Sequence, residues 1–247
     1  MEHRHPAIFA HRGVSSLCPE NTMSAFEKAI EFGADGIELD VHLSRDGRLV
    51  VCHDETVDRT TDGSGAIRAL DYDEIRRLDA GSWSAPEYRG QRIPLLDDVL
   101  HLVRDRTMMV NIELKTNIVA YKGIEAEVAE LVGRFDLDSR VIISSFNHYS
   151  VLRLKACAPH LDAGLLYDCH LVDPHKYAKS LKVEAIHPAM HTVTPQIVSD
   201  AKDAGIMVNV WFGEERSDSG DSAAILQSGA DIIITNYPHE YIAARGG

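Results

Sequence analysis

Two histidines in the first quarter of the chain stand where they could move protons. His11 ends the β-rich run that begins at Ala7, and His53 ends a second run, residues 48–53. An imidazole can take up or release a proton near neutral pH, which makes both residues candidates for acid–base catalysis. A single histidine at a strand end is more often structural. The carboxylates that neighbouring strands provide are what favour catalysis here.

Three carboxylates are predicted to meet beside the histidines. Glu38 and Asp40 alternate along one β-rich run and share a face, and Glu113 lies on a later run. Buried like charges repel, and a divalent cation is their natural neutraliser. Ligation by oxygen alone suits Mg²⁺ or Ca²⁺ better than zinc, so the sequence predicts one cation, Mg²⁺ or Ca²⁺. The alternative is that the carboxylates form separate salt bridges with Arg12 and Lys115.

Arg12 and Lys115 are candidates for holding a phosphate. Their charges suit the non-bridging phosphate oxygens, where negative charge builds up in a transition state, and ordinary salt bridges are equally open to them. Phe146 and Trp211 stand at the ends of later β-rich runs and are predicted to line the substrate pocket, although core packing would explain them nearly as well. His187 also ends a run and is interpreted as a packed histidine.

The elements that position these residues alternate between strand and helix. Eight strand candidates span residues 7–11, 36–43, 108–114, 141–145, 163–167, 185–188, 206–211 and 232–235. Helical patterns between them include residues 22–31, 95–103, 124–135, 150–157, 195–204 and 222–227, and Asn21 is the expected cap of the first. Each parallel strand needs a crossover, so this alternation predicts an α/β TIM (β/α)8 barrel with functional groups at the C-terminal strand ends. An open doubly wound sheet would usually carry a glycine-rich loop after its first strand, and residues 11–14 are not one.

The run at residues 48–53 follows the second strand too closely for a crossover helix. Asp46-Gly47 between them is a strong hairpin signal. With these two residues as the turn, Asp40 would pair with His53, and His53 would share the face of the carboxylates. A three-residue turn would shift this register.

Length and composition predict one barrel domain. A chain of 247 residues, 45% hydrophobic and 26% charged, fits a single domain over residues 1–247, with an insertion at about 55–94 that caps the active-site face. The net charge of −13 argues against nucleic acid or an anionic membrane surface as a partner, and no apolar run has the length of a membrane span. Four widely spaced cysteines and the lack of a signal peptide predict a cytoplasmic location. The oligomeric state stays open, a homodimer included.

Short segments along nearly the whole chain form a set that occurs together in one family. They are His11-Arg12-Gly13, Pro19-Glu20-Asn21-Thr22 and residues 33–41, 46–54, 58–65, 78–83, 93–96, 111–115, 144–147 and 234–238. This set resembles the glycerophosphodiester phosphodiesterases of the bacterial cytoplasmic type. The resemblance implies a TIM barrel that hydrolyses glycerophosphodiesters, such as glycerophosphocholine or glycerophosphoethanolamine, to glycerol 3-phosphate and an alcohol.

The resemblance also implies roles for the polar residues. It assigns catalysis to His11 and His53. It assigns metal binding to Glu38, Asp40 and Glu113, and contacts with the phosphate to Arg12 and Lys115. The sequence leaves open the preferred alcohol, the native metal and the nucleophile, which is water or the glycerol 2-hydroxyl. It also leaves open which histidine is the acid and which is the base. After Trp211 the sequence departs from the usual family pattern. Glu214 or Glu215 near the mouth could favour a cationic alcohol such as choline, although a solvated position on the surface explains these two residues better.

Three other functions compete with this hypothesis. A lysophospholipase D-type phosphodiesterase would need a long apolar groove, and the sequence identifies none. A metal-dependent sugar isomerase could use a similar barrel, but it would lack the paired cations for a phosphate. A non-catalytic barrel would have no reason to keep two histidines, three carboxylates and two cations together.

Overall fold

Eight parallel strands close into a barrel, as the alternation predicted. The computed structural model describes residues 5–212 and 222–246. Its strands are β1 (Ala7–His11), β2 (Gly36–Leu43), β3 (Leu49–Val51), β4 (Met109–Leu114), β5 (Val141–Ser145), β6 (Asp162–Tyr167), β7 (Ala185–Pro188), β8 (Met207–Trp211) and β9 (Ile232–Thr235). The sheet order is β1-β9-β8-β7-β6-β5-β4-β2-β3, and pairing of β1 with β2 closes the ring. The (β/α)8 barrel is therefore confirmed.

Helices surround the barrel, and their apolar faces bury it. They are α1 (Met23–Glu31), α3 (Leu96–Val103), α4 (Ile124–Arg134), α5 (His148–Cys157), α6 (Pro174–Leu181), α7 (Pro195–Asp203), α8 (Ser222–Leu226) and α9 (Pro238–Gly246), while the short α2 (Tyr72–Ile75) lies in the segment between β3 and α3. The main apolar cluster joins strand residues such as Ile37 and Ile112 to helix residues such as Phe26 and Leu100. None of the helices in the described residues combines the length and the apolar composition that a membrane span requires.

The prediction that Asn21 caps α1 is wrong. Thr22 is the N-cap, and its hydroxyl accepts the Ala25 N–H at 3.4 Å. Asn21 lies one residue earlier with a left-handed φ of 55° and donates from Nδ2 to Asp40 Oδ2 at 2.8 Å. The side chain of Asn21 therefore binds a carboxylate of the cluster, and the hydroxyl of the next residue, Thr22, caps the helix.

The predicted register of the hairpin is also wrong. The antiparallel pairs are Val41 with Val51, His42 with Val50 and Leu43 with Leu49, so three residues form the turn. The Ser44 hydroxyl donates to Asp46 Oδ1 at 2.6 Å, and Gly47 adopts a φ of +75°, a combination that favours the longer turn. His53 is therefore not paired with Asp40, and it reaches the site from the loop after β3.

Residues between β3 and α3 form the predicted insertion, which builds its own small core. An apolar cluster joins Val50 and Cys52 of the hairpin to Val57, Ile67, Ile75, Ala80, Ile93 and Leu95. The insertion also contacts the loop after β1, because the Tyr88 hydroxyl donates to the carbonyl of Leu17 at 2.7 Å. It thus lies over the C-terminal ends of the strands.

Candidate active site

A cavity of about 230 Å³ lies at the C-terminal ends of the barrel strands. Seven of the nine residues predicted for the site line it, namely His11, Arg12, Glu38, His53, Glu113, Phe146 and Trp211. Asp40 and Lys115 are 1% and 6% exposed and lie just behind this lining. The predicted residues therefore converge, although they come from distant parts of the sequence.

The three predicted carboxylates form a buried cluster. One oxygen each of Glu38, Asp40 and Glu113 lies within 4.8 Å of the other two. Burial raises the pKa of Glu38 well above its usual range, and repulsion from Asp40 and Glu113 raises it further. Burial likewise raises the pKa of Glu113. Asp40 Oδ1 is buried and accepts no hydrogen bond from the described part of the chain. Such a set of oxygens is what a divalent cation satisfies.

Two cations balance part of this negative charge. Arg12 Nε lies 3.5 Å from Asp40 Oδ2, and Lys115 Nζ lies 3.5 Å from Asp40 Oδ1 and 3.0 Å from Glu113 Oε1. Burial alone would raise the pKa of Asp40, but Lys115, His53 and Arg12 outweigh it and lower that pKa. The salt bridges considered as an alternative from the sequence are present, and they link the cations to the clustered carboxylates.

The local backbone explains why Arg12 is followed by glycine. Arg12 has a left-handed φ of 56°, which turns its N–H onto Glu38 Oε2 at 3.0 Å. Gly13 continues with a φ of +77°, and a Cβ at this position would lie 2.6 Å from Ala25. An L-residue with a side chain is disfavoured there by both conformation and space.

His11 is held by an amide. Its Nδ1 lies 2.7 Å from Asn236 Oδ1, which also accepts the hydroxyl of Ser15 at 2.9 Å. Because a carbonyl oxygen only accepts, Nδ1 of His11 carries the proton and Nε2 is left free to accept one. Nε2 lies 3.8 Å from Glu38 Oε2. Burial, followed by the charge of Arg12, lowers the pKa of His11 to about 3, so its ring is neutral.

His53 is held by a carboxylate. Its Nδ1 donates to Asp54 Oδ1 at 2.8 Å. Burial opposes ionisation of Asp54, but hydrogen bonds from Arg59 and His53 outweigh it and lower the pKa of Asp54 to about 2. A charged carboxylate can stabilise positive charge on the ring of His53, which the neutral amide beside His11 does less well. The two histidines therefore have different electrostatic surroundings.

The apolar part of the lining consists of Phe146, Leu166, Trp211 and Ile234. The rings of Phe146 and Trp211 meet edge to face with their centroids 5.5 Å apart. Trp211 Nε1 donates to the carbonyl of His187 at 3.1 Å, and the His187 ring is fully buried with Nε2 2.9 Å from Asn209 Nδ2. His187 is thus a packed histidine, as expected. Glu214 and Glu215 lie outside the described residues.

The sequence interpretation missed the residues that support the histidines. It gave no role to Asn236 or Asp54, although both stand in segments that carried the family resemblance. It gave no role to His42 either, which is buried with its Nε2 3.2 Å from the carbonyl of His53. The signal for Asp54 was its place next to His53, and the signal for Asn236 was its place just after the strand that closes the barrel beside His11.

Comparisons with known proteins identify the family of this chain. Residues 11–240 match the model of the glycerophosphoryl diester phosphodiesterase family. A glycerophosphodiester phosphodiesterase of Caldanaerobacter subterraneus subsp. tengcongensis is 44% identical over 97% of this chain and 98% of that protein. The crystal structure of one from Agrobacterium tumefaciens has 32% identity and a TM-score of 0.85, over 96% of this chain and 99% of that one. An Oleispira antarctica phosphodiesterase, solved with the product sn-glycerol-3-phosphate, has 30% identity and a TM-score of 0.86 over 98% of both chains.

Proposed function

The chain belongs to the glycerophosphoryl diester phosphodiesterase family, whose members hydrolyse glycerophosphodiesters, and from this premise we propose its substrates, metal and residue roles. It hydrolyses small diesters such as glycerophosphocholine or glycerophosphoethanolamine to glycerol 3-phosphate and the free alcohol. The observation that supports this most is the convergence of two histidines, two carboxylates and an arginine on one cavity of about 230 Å³, with Asp40 of the carboxylate cluster directly behind them. A cavity of this size suits a head group rather than a long acyl chain.

Glu38, Asp40 and Glu113 are the proposed ligands of one divalent cation, Mg²⁺ or Ca²⁺. Their clustering within 4.8 Å, their burial and the raised pKa of Glu38 and Glu113 all fit a positive ion between them. When bound, such an ion polarises the phosphodiester and lowers the pKa of the attacking oxygen. Arg12 and Lys115 add positive charge for the non-bridging phosphate oxygens.

The histidine partners support a division of labour between base and acid. His11 takes the proton of the attacking oxygen at Nε2, because its Nδ1 proton is committed to Asn236. His53 donates a proton to the departing alkoxide, because Asp54 stabilises the charged ring before the transfer. Phe146 and Trp211 form an apolar wall for the carbon atoms of the substrate.

The remaining expectations from the sequence are kept as proposals. A single domain with an insertion at about 55–94 is consistent with the close packing of the insertion on the hairpin. A cytoplasmic location is supported by four free cysteines, two of them buried. The acidic net charge of −13 supports a small-molecule partner rather than nucleic acid.

The direct test is release of glycerol 3-phosphate from glycerophosphocholine. We expect release by the purified protein, loss of release with EDTA, and recovery with Mg²⁺ or Ca²⁺. Glu113→Gln should not recover, whereas Glu125→Gln, a buried glutamate bound to Ser150 and Arg153 outside the cluster, should recover like the wild type. Release of choline from lysophosphatidylcholine, with none from glycerophosphocholine, would move the assignment to the lysophospholipase D alternative.

A further inference from the structure

Five ionisable residues form a continuous chain of contacts between the two sides of the site. His53 Nδ1 meets Asp54 Oδ1 at 2.8 Å, and Arg59 donates to Asp54 from Nε at 2.8 Å and from Nη2 at 3.0 Å. Arg59 also donates to Glu20 from Nη1 and from Nη2, each at 2.8 Å. Glu20 in turn lies 3.1 Å from Arg12 Nη1. One guanidinium therefore joins the partner of His53 to the partner of Arg12.

This chain of contacts connects three separate parts of the sequence. Asp54 follows His53 directly after β3, Arg59 belongs to the insertion, and Glu20 belongs to the loop between β1 and α1. Arg59 uses each of its guanidinium nitrogens and forms a two-pronged contact with each carboxylate. The planar guanidinium makes this double fork possible, and a lysine ammonium at the same place could not reproduce it.

The ends of this chain distinguish it from an ordinary surface ion pair. Exposed pairs contribute little to stability, and the Arg59 side chain is 42% exposed. Its partners are less so, at 29% for Asp54 and 11% for Glu20, and each of them contacts a residue that lines the cavity. Burial opposes ionisation of Glu20, but Arg59 and Arg12 outweigh it and lower the pKa of this carboxyl. Both carboxylates therefore stay charged at neutral pH.

We propose that Arg59 is a positioning residue through which the insertion sets the orientation of His53 and Arg12 at the same time. It fixes Asp54 against the ring of His53, and it fixes Glu20 against the guanidinium of Arg12. The inference rests on the proposed function, in which His53 protonates the leaving alcohol and Arg12 binds the phosphate. It gives the insertion a part in the reaction beyond covering the cavity.

The turn of the hairpin offers a matched control. Arg45 makes the same kind of fork to Asp71, with distances of 2.8 and 2.6 Å, and contacts Glu74 at 3.0 Å, so it also ties the insertion to the hairpin. In the described residues the hydrogen-bond partners of its guanidinium are Asp71, Glu74 and the carbonyl of Ala69, none of which lines the cavity. A variant of Arg45 therefore shows how activity changes when an ion pair between the insertion and the hairpin is lost but no residue of the cavity is affected.

The kinetic test compares two substrates that release the same product. Glycerophosphocholine needs a proton on its leaving alkoxide, whereas the p-nitrophenyl ester of glycerol 3-phosphate releases a weak base that leaves without one. We expect Arg59→Lys to lower kcat/KM for the choline ester by ~10–100-fold. For the aryl ester the factor by which kcat/KM falls should be ~10 times smaller. Asp54→Asn should reproduce this selectivity, Glu20→Gln should affect both esters alike, and Arg45→Lys should affect neither.

A second measurement does not depend on turnover. In ¹⁵N spectra of the histidine side chains, Arg59→Lys should shift the Nδ1 resonance of His53 and leave that of His11 in place. A wild-type protein that hydrolyses no glycerophosphodiester would overturn the proposed function, while the spectra would still decide the positioning. Equal losses on the two esters, no loss at all, or an unchanged His53 resonance would overturn the inference.

Discussion

Replacing Glu38 by glutamine should stabilise the metal-free protein and abolish its response to metal. Glu38 is 3% exposed, and its pKa is raised by burial and then by repulsion from Asp40 and Glu113. Glutamine has the same shape, and its amide oxygen can still accept the Arg12 N–H that now bonds to Glu38 at 3.0 Å. The substitution therefore removes one charge from the cluster and keeps its packing.

The expected size follows from the spacing of the carboxylates. Two unit charges 4.8 Å apart repel by about 3.5 kcal/mol at an effective dielectric constant of ~20. Arg12 and partial protonation of Glu38 offset most of the repulsion of Glu38 by Asp40 and by Glu113. The variant should therefore gain ~1–2 kcal/mol in free energy of unfolding, or ~2–8 °C in Tm for a chain of this length. Metal at ~100 times its Kd should add ~2.7 kcal/mol to the wild type, or ~5–10 °C.

The sign of the pH dependence adds a check. A carboxyl whose pKa is raised on folding destabilises the protein above its unfolded pKa, and has no effect where it is protonated in both states. The advantage of the glutamine variant should therefore be present at pH 7 and vanish below about pH 4.5, the ordinary value for this group.

Thermal unfolding with EDTA, Mg²⁺ or Ca²⁺ measures both effects. Glu125→Gln is the matched control, because Glu125 is also 3% exposed but pairs with Ser150 and Arg153. It should lower Tm in EDTA and keep the full metal shift. A wild type that gains no stability from either metal would refute the reasoning, and so would a Glu38→Gln variant that gains as much as the wild type.

Three further predictions concern the histidines and the insertion. His11→Ala and His53→Ala should each lower kcat by ~10²–10⁴ with an unchanged circular dichroism spectrum, and near-normal turnover would end the assignment. Asn236→Ala should lower kcat by ~10–100-fold, the usual effect of losing a partner that orients a histidine, with KM nearly unchanged in the same assay. Asp79, whose pKa is lowered by hydrogen bonds from three backbone N–H groups, should stabilise the insertion above about pH 3.8 and lose this effect in stronger acid. The hydrogen-exchange protection of residues 78–91, corrected for the intrinsic exchange rate at each pH, should therefore fall there in the wild type and change less in Asp79→Asn.

Much of the fold could be predicted because the alternation of strand and helix repeats along the chain. The eight barrel strands fall within one residue of the predicted bounds, since each is a short apolar run between turn residues. Helices α6 and α9 were not predicted. The buried residues of α6 are Pro174 and Ala178, so few large apolar side chains mark the face that this short helix turns to the core.

The carboxylate cluster could be predicted because alternation along β2 places Glu38 and Asp40 on one face. The register of β4 beside it then brings Glu113 opposite Asp40. The hairpin register could not be predicted, because the choice between a two- and a three-residue turn depends on the contact of Ser44 with Asp46. The partner of His11 depends on barrel closure, since Asn236 lies 225 positions away in the sequence.

The charges of the site explain why metal and substrate should bind in concert. Without metal, Arg12 and Lys115 bring the three carboxylates to a net charge between −1, with all three ionised, and zero, with Glu38 protonated, so the cluster does not attract a phosphodiester anion. A divalent cation bound to the three ionised carboxylates changes this to +1, and one bound phosphodiester then brings it to zero. The buried cluster is therefore complementary to substrate only when its cation is present, and removal of metal should weaken substrate binding as well as turnover. Calorimetry on the inactive variant His53→Ala measures this binding. Equal affinity for glycerophosphocholine with and without metal would contradict this account.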